Sequence, residues 1–232
     1  MPFLGLPERV REIRNRIAES AKRGGHGQEV RLIAVTKTHG PDAVRAAWDA
    51  GLTDVGENKV QEAFGKQDTL SGEAFAPAGL SWHLIGHLQT NKVKALSRFS
   101  LFHALDQSKL VDAASAEAVK QGVTLDVLMQ VNVVGEESKG GFSLAEVPRE
   151  AERLLTRPGL RLCGVMTMAP FEVEERVLRE VFAGARSART MLQAAGHDAR
   201  ELSMGMSGDY EIAVEEGATL VRLGTVLFGT RS

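Results

Sequence analysis

VRLIAVTKTHGPDAVRAAWDAG, residues 30–51, is the stretch on which the fold turns. Val30 to Val35 is a short, β-branched run that predicts a buried strand. A helical stretch follows from Pro41 to Ala50, and Gly51 stops it. Upstream, Val10, Ile13, Ile17 and Ala21 recur at helical spacing between Pro7 and Arg23. Pro7 suits the first turn and Gly24-Gly25 the stop, so an amphipathic helix leads the chain.

The same beat repeats downstream. Strand-like runs fall at 53–55, 82–85, 101–104, 125–133, 160–166, 201–204 and 220–223, which with the first makes eight. Helix-patterned segments fall at 59–66, 109–120, 144–155, 173–195 and 210–216. Spread over 232 residues this is about 29 per unit, the beat of parallel βα modules. Eight of them predict an α/β fold: one (β/α)8 TIM barrel with an extra N-terminal helix. A doubly wound open sheet is the alternative, because periodicity counts strands without showing closure. No linker or low-complexity tract divides the chain, so residues 1–232 are expected to be one domain.

Hydrophobic residues make up 43% and charged residues 25% of the sequence, the balance of a globular domain. A net charge of −2 from 28 basic and 30 acidic residues gives no basic excess for a nucleic acid backbone. Cys163 is the only cysteine and forms no intramolecular disulfide. Met1-Pro2-Phe3-Leu4-Gly5-Leu6 is too short for a signal-peptide core, and no stretch reaches the roughly 20 apolar residues of a membrane span. A cytoplasmic protein without a membrane or nucleic acid partner is expected.

In such a barrel, residues just past the carboxyl ends of the strands face the site. The first strand delivers Lys37 there. It reads either as a solvated charge or as an amine whose proton affinity partial burial lowers, ready to attack an aldehyde. After the seventh strand comes Ser203-Met204-Gly205-Met206-Ser207-Gly208-Asp209, and after the eighth Arg222-Leu223-Gly224-Thr225. Small residues opening a helix turn N–H groups toward an anion, and loops seven and eight are the usual place for a barrel phosphate site. Ser and Gly at such a position also simply cap a helix. The spacing matches neither a P-loop nor a GxGxxG fingerprint.

Five separated motifs, in order, now point to one family: Ile33-Ala34-Val35-Thr36-Lys37; Gly56-Glu57-Asn58 with Gln61-Glu62; residues 82–92 (WHLIGHLQTNK); Ser203-Met204-Gly205-Met206-Ser207; and Val221-Arg222-Leu223-Gly224-Thr225. The chain resembles the pyridoxal phosphate homeostasis proteins, also called the proline synthetase co-transcribed homologue family. The resemblance implies a single-domain barrel similar to the alanine racemase N-terminal domain. It implies pyridoxal 5′-phosphate (PLP) as a Schiff base on Lys37, with Ser207, Gly208, Gly224 and Thr225 at the phosphate. Arg222 is implied to face the pyridine nitrogen, Asn58 to lie beside the ring and Met166 to help wall the pocket. Lys139 reads as an aid to cofactor exchange or as a solvated loop charge. His39 stands where some relatives carry a second lysine.

The remaining candidates have plainer readings. His83 and His87 share a His-x-x-x-His spacing, but at a strand end it does not favour a common metal. Cys163 is expected to be a buried structural thiol, and Trp82 and Phe102 packing residues. The function expected from the resemblance is a monomeric PLP carrier and buffer without substantial turnover, passing cofactor to apo PLP-dependent enzymes. The alternatives are a PLP-dependent racemase or decarboxylase, and a sugar-phosphate enzyme on the same fold. Against a racemase stand the single Tyr210 and a sequence that ends at Ser232, with no second domain to supply a second base. Arg222 at the ring nitrogen would also weaken the cofactor as an electron sink.

Overall fold

Eight parallel strands pair in chain order and close, β8 on β1. They are β1 (Arg31–Val35), β2 (Asp54–Glu57), β3 (Ser81–Leu84), β4 (Leu101–Leu105), β5 (Leu125–Gln130), β6 (Leu160–Met166), β7 (Glu201–Ser203) and β8 (Leu220–Leu223). Closure rests on the register Arg31↔Leu220 through Ala34↔Leu223 between β1 and β8, which decides for the barrel over the open sheet. This computed structural model describes residues 3–75, 77–136 and 139–229.

The crossovers are helical. α1 (Leu6–Gly24) precedes the barrel, and α2 (Pro41–Asp49), α3 (Val60–Gly72), α4 (Ser108–Gln121), α5 (Val147–Leu155), α6 (Glu175–Ala194), α7 (Tyr210–Glu215) and α8 (Thr225–Phe228) surround it. The crossover between β3 and β4 is a 3₁₀ helix, Thr90–Arg98, whose buried Val93 and Leu96 stand three residues apart on its one inward face. Its charged, short sequence carries no 3.6-residue stripe, and the periodic reading passes over it.

Boundaries differ from expectation by three residues or more in three places. The segment read as 59–66 continues to Gly72, where Leu70 is buried against the barrel. The run 125–133 ends as a strand at Gln130; beyond it Val131 makes one parallel bridge to Phe142. The segment 144–155 becomes helical only at Val147. Glu146 accepts from the Ser143 amide and hydroxyl, both at 2.8 Å, and Pro148 then sits in the first turn.

The core is continuous from strands to helices. Ile33, Ala34, Val55, Leu84, Leu128, Val165 and Leu223 are fully buried, and Val10, Ile13 and Ile17 of α1 are buried against the barrel as their spacing predicts. Trp82 and Phe102 are packing residues, half-buried and buried. Cys163 is only half-buried, because it lies on β6 beside the exposed Arg161; the fully buried thiol expected there is not found. No helix among the described residues is long and apolar enough to cross a membrane.

Candidate functional site

The carboxyl ends of the strands enclose a cavity of about 1280 Å³. Lys37, Asn58, Ser207, Gly208, Arg222, Gly224 and Thr225 all line it, as does Lys139. Thus the structure brings together at one cavity side chains up to 188 positions apart in sequence, from Lys37 to Thr225. Met166 is the exception. It is 1% exposed within β6 and does not line the cavity, whereas Met168 and Met206 do. The chain leaves β6 at Met166 and only the loop beyond it reaches the mouth.

Lys37 follows directly from the end of β1 and is exposed. The partial burial expected of it is not found among the described residues, where its side chain stands exposed at the mouth. It makes no ion pair among the described residues. Its backbone neighbours, in contrast, are held firmly. Thr36 is buried and donates its hydroxyl to Glu57 Oε1 at 2.5 Å. Lys66 Nζ donates to Thr36 O at 2.8 Å, to Glu57 Oε1 at 2.6 Å and to Glu62 Oε1 at 2.9 Å, and the Thr38 amide also donates to Glu62. Burial pushes the Glu57 carboxyl up despite Lys66. Burial would also raise Glu62, but the hydrogen bonds from Lys66 and Thr38 outweigh it and hold Glu62 below its usual value. The i,i+4 pair Glu62–Lys66 is legible in sequence; the link to Glu57 and to the end of β1 exists only in the fold.

Ser207 decides between a helix cap and an anion cup. Its hydroxyl does not cap α7: Asp209 Oδ1 instead accepts from the Met206 amide at 2.6 Å. The Ser207 oxygen faces across to the other loop, where the amides of Gly224 and Val226 both point at it from 3.4 Å. Two N–H groups and a hydroxyl therefore converge between the loops after β7 and β8. A Cβ placed on Gly208 would meet nothing within 4 Å, so that side of the cup is open space.

Arg222 lies at the cavity floor, 5% exposed. Nη1 donates to Ser203 O at 2.7 Å and Ser203 Oγ at 2.6 Å, and Nη2 to Thr167 O at 2.9 Å, leaving Nε–H and one Nη2–H uncommitted. Burial pushes its pKa down to about 10, opposed by nearby Asp209, so it stays charged at neutral pH.

Other candidates disperse. Lys139 Nζ donates to Ala169 O and pairs with Glu136, both at 2.8 Å, and is therefore a tethered rather than a solvated charge. His83 is buried and bonds Asp54 and His103, while His87 stands at the mouth with Nδ1 2.7 Å from Asp106 Oδ2, so the two imidazoles serve different places. His39 packs edge-on against Phe3 at 5.6 Å between ring centroids. Tyr210 is buried and lines a separate groove against α1 with Arg9, Glu12 and Arg16.

The family described as alanine racemase, N-terminal domain, matches residues 9–232. The pyridoxal phosphate homeostasis protein of Aquifex aeolicus is 40% identical over 227 residues, 97% of each chain. A Synechococcus elongatus protein solved with PLP bound is 34% identical, with a TM-score of 0.85 over 97% of this chain and 100% of its own. The alanine racemase of Corynebacterium glutamicum shares the fold, with a TM-score of 0.70 at 13% identity over 94% of this chain and 61% of its own.

Proposed function

This chain belongs to the family of pyridoxal phosphate homeostasis proteins, and on that premise we propose that it binds PLP, holds it as a Schiff base on Lys37 and serves as an intracellular carrier and buffer rather than a catalyst. The observation that carries the reading is the convergence of the Ser207 hydroxyl with the Gly224 and Val226 amides, in one cavity with the exposed Lys37 amine. The donor set fits a phosphate dianion, which takes N–H and O–H donors from two loops at once. When bound, PLP supplies a reactive aldehyde and a ring that can accept electrons. The chain's own part is to fix the phosphate at Ser207, Gly208, Gly224 and Thr225, to present the Lys37 amine, to flank the ring with Asn58 and to donate to the ring nitrogen from Arg222. Residues 1–232 act as one domain, as a monomer in the cytoplasm, and apo PLP-dependent enzymes receive the cofactor.

Two features favour a carrier. The sole tyrosine lies in a groove against α1 and the sole cysteine on β6, so neither lines the cavity to act as a second base. A cationic donor at the ring nitrogen also disfavours the protonated pyridine that draws electrons from a substrate. The exposed mouth suits release of the cofactor as well as its capture.

Borohydride reduction and peptide mapping test the attachment: the pyridoxyl mass should sit on the peptide containing Lys37 and be lost in Lys37→Ala. An adduct confined to Lys139 would overturn the assignment. One observation favours a second reading. His87, bonded to Asp106 and facing the cavity, has the geometry of an oriented proton acceptor. The racemase or decarboxylase alternative therefore predicts amino acid turnover near or above about 1 per second that His87→Asn abolishes. Transfer of PLP to an apo-enzyme without such turnover supports the carrier.

A further inference from the structure

A file of polar side chains crosses the barrel core beneath Arg222. Asp54 Oδ1 lies 2.9 Å from His83 Nε2, His83 Nδ1 3.0 Å from His103 Nε2, and His103 Nδ1 2.8 Å from Ser203 Oγ. Arg222 Nη1 donates to that same Ser203 oxygen at 2.6 Å. All five residues are buried, His103 and Ser203 completely. β4 and β7 are not neighbours in the closed order, so the His103–Ser203 bond spans the barrel interior.

The two ends fix every proton between them. A guanidinium only donates, so Ser203 Oγ accepts from Arg222 and its own hydrogen goes to its other partner, His103 Nδ1. Burial, with the Arg222 charge nearby, holds His103 well below the usual imidazole value, so the ring is neutral, and with Nδ1 accepting from Ser203 its proton is on Nε2. That proton is given to His83 Nδ1, and His83 presents Nε2–H to Asp54. A doubly protonated His83 would reverse the file and turn two donors on Ser203, leaving the hydroxyl hydrogen without an acceptor there. At the far end, burial would raise Asp54, but hydrogen bonds from His83 and Thr53 outweigh it, and the carboxylate stays an acceptor. Arg31 stands 3.6 Å from Asp54 Oδ1 and pairs with Glu201 at 2.7 Å; these are the other charges at that end.

We propose that Asp54, His83, His103 and Ser203 form a one-way hydrogen-bond relay that positions Arg222 as a fixed donor toward the ring nitrogen of bound PLP. The inference rests on the PLP reading for its purpose and on the core geometry for its existence. Arg222 has no ion pair among the described residues. Three aligned neutral groups instead turn their acceptor ends toward its buried charge and connect it to a carboxylate at the opposite end of the barrel. Such a guanidinium cannot swing away without leaving the buried Ser203 hydroxyl oxygen without its donor.

Histidine-selective nitrogen-15 NMR on the full chain without cofactor reads the relay directly. His83 and His103, assigned through His83→Gln and His103→Gln, should each show the pattern of a neutral ring with the proton on Nε2 at about pH 8. A charged ring, or a proton on Nδ1 of either, overturns the relay. In the PLP-loaded protein, Ser203→Ala loosens the guanidinium locally, while Asp54→Asn acts from a residue that does not line the cavity. The expected result is that the pH at which the visible band titrates falls by about one pH unit or more in Ser203→Ala, and by less in Asp54→Asn, because a ring nitrogen free to protonate lowers the basicity of the conjugated nitrogen. An unchanged midpoint in folded, PLP-binding variants overturns the positioning role. If the unaltered protein takes up no PLP, the functional reading falls and with it the role toward the ring, whereas the histidine tautomers still decide the relay.

Discussion

Ser207 and Asp209 divide the work of the loop after β7, and their substitutions should separate accordingly. Asp209 ties the Met206 amide and shapes the turn, whereas the Ser207 oxygen is committed only to the opposite loop at 3.4 Å. Ser207→Ala should therefore leave stability nearly unchanged and cost on the order of 1 to 2 kcal/mol of PLP affinity. Gly208→Ala is the sharper probe: its Cβ meets no protein atom within 4 Å, so any clash is with the ligand. Its affinity for PLP should fall about tenfold or more, roughly 1.4 kcal/mol, while affinity for unphosphorylated pyridoxal changes little. Spectrophotometric titration with both aldehydes checks this, and equal losses for the two would remove the phosphate from that position. Lys37 and the loop residues Ser207, Gly208, Gly224 and Thr225 were legible in sequence because they follow strand ends, whereas Asn58 and the role of Arg222 came from the family resemblance. Their partners were not: Glu57 and Lys66 behind β1, and Ser203 under Arg222, are joined by contacts that no local pattern encodes.

At the scale of elements, α1 is joined to the barrel through α7 as well as through its own apolar stripe. Its last residue, Gly24, approaches the backbone of α7 so closely that a Cβ would lie 2.3 Å from Glu215 O. Backbone cannot yield as a flexible side chain does, so Gly24→Ala should destabilise the fold by about 1 to 3 kcal/mol. Gly65 on α3 is the contrast. It is exposed, with open space about it, and Gly65→Ala should stabilise by roughly 0.5 to 1 kcal/mol through helix propensity alone. Urea unfolding of the two variants measures both, and an equal response would show that α1 does not rest on α7 as described. In sequence Gly24 reads only as a helix stop. That it is also a point of contact depends on where α7 comes to lie, some 190 residues later.

For the whole molecule, buried and paired carboxylates give stability a maximum in pH. Hydrogen bonds from Arg179 and Arg23 hold Glu215 below its ordinary 4.5, and those from His83 and Thr53 hold Asp54 below 3.8 against the effect of burial. For such groups the folded state binds protons less readily than the unfolded one, so their stabilisation is complete above those ordinary values and is lost as pH falls through them. Glu57 and Asp209 are raised by burial, so their contribution has the opposite sign: it is full below the ordinary values and declines as pH rises through the raised ones. The urea midpoint should thus climb slightly from neutral to mildly acidic pH and then fall on the acid side, with Glu215→Gln flattening the fall; a midpoint that rises steadily into acid would contradict the assignment. By itself the sequence determined the eight-fold βα beat, the leading helix and the placing of Lys37, Ser207 and Gly224 past strand ends, because periodicity and turn residues are local properties of the chain. Only the tertiary structure decided that the sheet closes, that Met166 stays in the core while Lys37 is exposed, that Ser207 bridges two loops, and that Asp54, His83, His103 and Ser203 meet in a single file. Those facts depend on strand register and on contacts across the barrel, and hydrogen bonds between residues 20 to 100 positions apart exist only once the strands that carry them have assembled.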